Sequence, residues 1–117
     1  MNRKISLKRV YDDYNPNDGK RILVDRLWPR GIKKENAKID LWIKEIAPSN
    51  ELRKWFHQGD KKFEDFRTKY IRELEEKKDL CEELLNFGTG KLTLLFSSKN
   101  RDASNATVLK EYLEENF

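Results

Sequence analysis

Near the C-terminus, the run Lys91-Leu92-Thr93-Leu94-Leu95-Phe96 dictates the architecture. Apart from Thr93, every residue from 92 to 96 is apolar, so neither face of a strand built from it can meet water. Such a strand belongs inside a sheet with cover on both sides, the usual place of a parallel strand in an α/β domain. A chain of 117 residues suffices for one such domain and not for two, so residues 1–117 read as a single domain. Charged residues make up 39% and the mean hydropathy is −0.94, values that would mean disorder in a chain poor in aromatics. Three Trp, four Tyr and six Phe supply the surface a core needs.

The other elements can be read from periodicity and punctuation. Residues 5–10 alternate between apolar and polar, with Val10 one step out of phase, and predict a strand. Tyr14-Asn15-Pro16-Asn17-Asp18-Gly19 is dense in turn residues. A tight hairpin there makes the first two strands antiparallel and a longer excursion makes them parallel; the sequence leaves both open. A second strand over 21–24 ends at Asp25, and Pro29 and Gly31 bar regular structure from the loop after it. Residues 34–37 read as a turn or helix start. Asp40 reads as the N-cap of a short helix over 41–46, stopped before Pro48, and Ser49 as the cap of another carrying Leu52, Trp55 and Phe56 on one face. Phe63, Phe66, Tyr70 and Leu74 recur at helical spacing, and Leu80, Leu84 and Leu85 carry the helix past a kink near Asp79 to a stop at Gly88. A last helix covers 104–115. The expectation is a small α/β domain: about three mostly parallel strands covered by four or five helices.

Two polar loops come directly after strands. Ile22-Leu23-Val24-Asp25-Arg26-Leu27-Trp28-Pro29-Arg30-Gly31 passes from branched apolar residues to a carboxylate, two guanidinium groups and an indole; Ser97-Ser98-Lys99 succeeds the strand near the C-terminus. If those strands are parallel neighbours the two loops emerge side by side, and the last helix starts at the same edge with Ser104 and Asn105. Arg26, Arg30 and Lys99 with the hydroxyls of Ser97, Ser98 and Ser104, the Asn105 amide and the helix N-terminus then make an anion pocket, with Trp28 as a stacking face. Asp25 is the candidate acid or base. Lys99 either binds the anion or pairs with Ser97 as base and nucleophile, the weaker choice in so lysine-rich a chain. Each has a plainer reading. Asp25 can pair with a neighbouring cation, Trp28 can plug the sheet edge, and Ser104 or Asn105 can simply cap the helix. Trp42, Trp55, Phe63 and Phe66 read as core, and Cys81 as a buried spacer in a helix.

One cysteine excludes an internal disulfide, and one histidine, His57, leaves a conventional zinc site without ligands. There is no Walker-type loop, no pair of glycines spaced for a dinucleotide and no nucleophile elbow, so no metal or cofactor is expected. No apolar run approaches the roughly 20 residues of a membrane span, and the first residues lead into no signal-peptide core, so a cytoplasmic protein with no membrane partner is expected. The net charge of +4 is spread among acids, which makes nucleic acid the weaker partner and a small anionic molecule the stronger. The oligomeric state is left open.

Arg9-Val10-Tyr11-Asp12, Asp18-Gly19, the 24–31 stretch VDRLWPRG, Lys44-Glu45-Ile46-Ala47-Pro48-Ser49, Glu51-Leu52-Arg53-Lys54-Trp55-Phe56 and the 92–109 region occur in an order that resembles the family called domain of unknown function 488, in its short YeaO-like branch. The resemblance spans nearly the whole chain and implies a small bacterial or archaeal α/β protein with no assigned activity. The polar signature it implies falls on Tyr11, Asp12, Asp25, Arg26, Trp28, Arg30, Lys99 and Asn105, adding Tyr11 and Asp12 to the loop residues above. Two departures stand out. Relatives often carry a His-Asp pair soon after the Trp-Phe, where this chain has Gln58-Gly59, and a histidine before the asparagine of the last helix, where Ser104 stands. If those histidines do acid–base work in relatives, this chain lacks it. The functional expectation is an enzyme or former enzyme holding a small anionic metabolite or nucleotide at the carboxyl edge of its sheet. The alternative is a non-catalytic module that contacts nucleic acid or protein through basic loops.

Overall fold

A computed structural model describes residues 3–117. Four strands, β1 (Ile5–Arg9), β2 (Lys20–Leu23), β3 (Leu41–Trp42) and β4 (Leu92–Phe96), form one parallel sheet in the order β1-β4-β2-β3. All five residues of β4 are buried, as an interior strand requires. Its register sets Leu92 beside Ile5 and Leu94 beside Ile22. β1 and β2 each pair with β4 in parallel, so residues 10–19 are an excursion and not a hairpin. Gly19 makes the return: its φ is +68°, and a Cβ there would sit 2.2 Å from the Lys91 carbonyl oxygen, which accepts the Lys20 N–H.

The described residues also form five α-helices: α1 (Lys34–Ala37), α2 (Asn50–Phe56), α3 (Phe63–Glu75), α4 (Lys78–Leu85) and α5 (Asn105–Asn116). The larger core joins Ile22, Val24, Leu92, Leu94 and Phe96 to Phe66, Tyr70 and Leu74 of α3, Leu84 of α4, and Leu109 and Leu113 of α5. Phe66, Tyr70 and Leu74 recur every four residues and so lie on one stripe of α3. Leu23, Leu95 and Val10 point to the other face, where irregular chain supplies the cover: Trp28, Ile32, Ile39 and Trp42 pack there. Trp42, Trp55 and Phe63 are only half-buried, at the margin of the core and not within it.

The expected helix over 41–46 is corrected. Residues 41–46 are not a helix capped by Asp40: Leu41 and Trp42 pair with β2, and only Lys44–Ile46 coil, as a single 3₁₀ turn. Asp40 is drawn to the sheet instead, its carboxylate accepting the Arg21 N–H while its own N–H donates to the Arg21 carbonyl. The helix break expected near Asp79 falls at Glu76 and Lys77, between α3 and α4.

Cys81 is wholly buried in α4, and burial pushes its thiol up to about 11. A thiol reagent should therefore leave the native protein unlabelled at neutral pH and modify its one cysteine only in denaturant. Rapid labelling without denaturant would mean that α4 does not seal against the sheet.

Candidate functional site

Because β2 and β4 are parallel neighbours, the chain leaves both at the same rim. Val24 continues the pairing by donating to the Leu95 carbonyl at 3.1 Å, which delivers Asp25 to Ser97. One oxygen of Asp25 accepts the Ser97 N–H at 2.9 Å and its hydroxyl at 2.8 Å. The other accepts the Asn105 side-chain amide at 3.1 Å, and that amide also donates to the Val24 carbonyl. One carboxylate thus ties the ends of two strands to the first residue of α5. Asp25 pairs with none of Arg26, Arg30 or Lys99; neutral donors have taken the place expected of a cation.

Arg26 turns the opposite way. Its Nε and Nη2 donate to the carbonyls of Pro48 and Ala47 at 3.1 and 3.2 Å. The same short segment is gripped from beneath by the α3 region. Tyr70 donates to the Ile46 carbonyl at 2.7 Å, Lys77 reaches the Glu45 and Ala47 carbonyls, and Glu73 accepts both the N–H and hydroxyl of Ser49. Ser49 in turn caps α2 by accepting the Leu52 N–H. Burial, ahead of the charges around it, holds the Lys77 ammonium below its usual range, and burial likewise pushes the Tyr70 phenol well up. Trp28 is half-buried, donates to the Ile32 carbonyl at 2.7 Å and meets Trp42 edge-on at 5.4 Å.

The remaining expected residues divide. The Tyr11 hydroxyl donates to the Arg30 carbonyl at 3.0 Å, with the Arg9 guanidinium 5.1 Å from its ring. Arg9 also binds the carbonyls of Ser97 and Ser98. Ser104 is the N-cap of α5, exchanging hydrogen bonds with Thr107. Asp12 takes a two-pronged bond from Arg101, which is the main reason its carboxyl lies below the usual range.

Between these loops and α2 lies a cleft of about 440 Å³. Tyr11, Asp25, Arg26, Trp28, Arg30, Ser97, Ser98, Ser104 and Asn105 all line it. Asp12 and Lys99 do not: Asp12 faces a smaller cavity of about 330 Å³ shared with Tyr11, and Lys99 stands exposed on its loop. The opposite wall comes from Arg53, Phe56 and His57, with Phe66 beneath. No group of His, Cys, Asp or Glu among the described residues is arranged to hold a metal ion.

A family model described as the inactive DUF488-N3 subclade matches residues 4–117. The chain belongs to this DUF488-N3 family. It is 47% identical over 110 residues to the uncharacterised protein YeaO of Escherichia coli K12, covering 93% of this chain and 96% of that one. It is 37% identical, again over 110 residues, to the uncharacterised protein Rv3073c of Mycobacterium tuberculosis H37Rv, covering 94% and 93%. No solved structure matches. The resemblance carried by VDRLWPRG and the Lys44–Ser49 motif is borne out, and the structure shows why the two go together: Arg26 of the first binds the carbonyls of the second.

What the sequence reading of this DUF488-N3 chain missed is the α2 wall. Leu52, Trp55 and Phe56 read as a core face, but Arg53, Phe56 and His57 lie at i, i+3 and i+4 and form a second stripe turned to the cleft. A cation, an aromatic ring and an imidazole sharing one stripe was the available signal. No helix among the described residues is long and apolar enough to cross a membrane.

Proposed function

We propose that this protein is a former enzyme that binds a small anion in the cleft at the carboxyl edge of its sheet. One observation carries the reading: three arginines line the cleft against a single carboxylate, and that carboxylate already accepts three hydrogen bonds. A guest with negative charge therefore meets a positive surface with no free acid competing for it. The same bonds speak against turnover, because an acid or base must reach its substrate's proton and Asp25 is committed to Ser97 and Asn105. Lys99, the other candidate, lies outside the cleft lining. The description of the matching family as inactive agrees. So does the position of the two departures from relatives: Ser104 lines the cleft, and Gln58 adjoins His57, which lines it too.

The test is a thermal-shift series with sulfate, inorganic phosphate, small carboxylates and nucleoside monophosphates, then calorimetry. A ligand at about 100 times its Kd should stabilise the fold by about 2.7 kcal/mol, and Arg30→Ala should reduce that gain while the ligand is recovered unchanged. Stabilisation that persists in full in Arg30→Ala, or no stabilisation by any anion, would overturn the reading. Binding of oligonucleotides that collapses between low and moderate salt would instead favour a phosphate-contacting surface module.

A further inference from the structure

The cleft has two kinds of lining, charged and aromatic, and they differ in what they leave unsatisfied. On the α2 side, Arg53 donates through Nη2 to the Asn50 side chain at 3.2 Å, but its Nε is shut away from solvent with no hydrogen-bond partner among the described residues. A sealed N–H without an acceptor weighs against Arg53 as a structural residue, whereas Nη1 of the same guanidinium donates to no described residue and is not sealed off, so it is the donor a guest in the cleft can reach. Arg26 stands on the same lining, its plane fixed by two backbone carbonyls and its Nη1 uncommitted. The aromatic surfaces, Phe56 on the α2 side and Trp28 on the loop side, are by contrast already held by neighbours. Phe56 packs on Phe66 at 4.7 Å, and Trp28 is held by its bond to Ile32 and its contact with Trp42. Pro29 and Pro48 add apolar lining. Rings already locked in place lose little freedom when a flat guest lies against them.

From these two linings we infer that the cleft is built for an aromatic anion: Arg53 and Arg26 form the seat for one carboxylate or phosphate-type group, and Trp28 and Phe56, from opposite sides, form the seat for a planar ring. The inference rests on the anion-binding reading above and narrows it. Chains of phosphates fit poorly, because Arg26 already gives two of its donors to backbone carbonyls and Arg53 one to Asn50. Arg53 and Arg26 make the direct contact, although neither strand-end loop contains Arg53, and Arg30, exposed on its loop, adds to the positive field that holds the anion.

Titration calorimetry on the whole chain tests this with four probes: 2-naphthoate and adenosine 5′-monophosphate, which carry rings, against acetate and ribose 5-phosphate, which carry the same charged groups without an aromatic ring. Each ring-bearing probe should bind at least about tenfold tighter than its ring-free counterpart. Arg53→Met should erase about tenfold or more of that affinity, Arg53→Lys should restore part of it, and Phe56→Leu should narrow the gap between the members of each pair. The melting temperature of Arg53→Met without ligand should be unchanged or higher, since the orphaned donor is gone; a purely structural arginine would lower it. Equal affinities within each pair, or an Arg53→Met protein that binds normally, would overturn the aromatic-anion assignment and leave the broader reading standing. If none of the four probes binds, the assignment fails, and the broader reading fails with it once sulfate and inorganic phosphate also leave the melting temperature unmoved.

Discussion

Asp18→Ala should cost about 3–5 kcal/mol of unfolding free energy, among the largest effects of any single substitution in this protein. Asp18 sits where β2 begins, 6% exposed, and its carboxylate accepts from Lys8, the Asn15 N–H and Arg21. Arg21 is 2% exposed and also donates to the carbonyls of Lys38 and Ala37, so it cannot swing out to water when its partner is removed. The loss therefore includes a stranded guanidinium as well as the missing bonds. Urea titration should show a lower midpoint at an unchanged slope, and Asp18→Ala with Arg21→Met should cost less than the two singles summed. The same contacts set the pH dependence. Burial is the largest single influence on Asp18 and opposes ionisation, yet the donors from Lys8, Asn15 and Arg21 together outweigh it, and the folded pKa lies below the ordinary 3.8. A depressed carboxyl stabilises fully above its unfolded pKa and loses that contribution as pH falls through the folded one. The parent should thus weaken between about pH 5 and the folded pKa more steeply than Asp18→Ala. Equal acid limbs in the two proteins would remove Asp18 from this role.

The fold was legible where side-chain periodicity alone decides it. β4 announced itself because five consecutive buried positions admit no other placement, and α3 because Phe66, Tyr70 and Leu74 mark one stripe. β3 was not legible. Two residues carry no period, and Asp40 before them looks like a helix cap until the Arg21 backbone is seen to claim it. For the candidate site, strand adjacency brought Asp25, Ser97 and Asn105 together, and a right-handed crossover between parallel neighbours makes such adjacency readable. The departure of Lys99 from the cleft was not readable, since which way a loop residue faces depends on local turns such as those Ser98 and Asn100 make with the next few N–H groups. Arg53 was passed over for a further reason: a cation on a short helix looks like solvated surface unless Phe56 and His57 on its stripe are weighed with it.

Asp25→Ala is expected to destabilise the protein by about 2–4 kcal/mol, which bears directly on what Asp25 is for. Three donors lose a charged acceptor at once, and the junction of β2, β4 and α5 loses the only side chain that bonds to both Ser97 and Asn105 among the described residues. Asp25→Asn should fall between, because one oxygen still accepts from Ser97 while the new amide faces the Asn105 amide donor to donor. Ser97→Ala and Asn105→Ala should each cost less than Asp25→Ala. A double-mutant cycle between Asp25 and Asn105 should give a coupling of about 1 kcal/mol, as expected of side chains in direct contact. The measurement is an unfolding midpoint, so it needs no substrate. Were Asp25→Ala to unfold at the parental midpoint, the three bonds would be worth nothing to the fold, and the carboxylate would be free to serve a reaction. A large loss argues the reverse: a group whose bonds hold three chain segments together is poorly placed to trade protons with a guest.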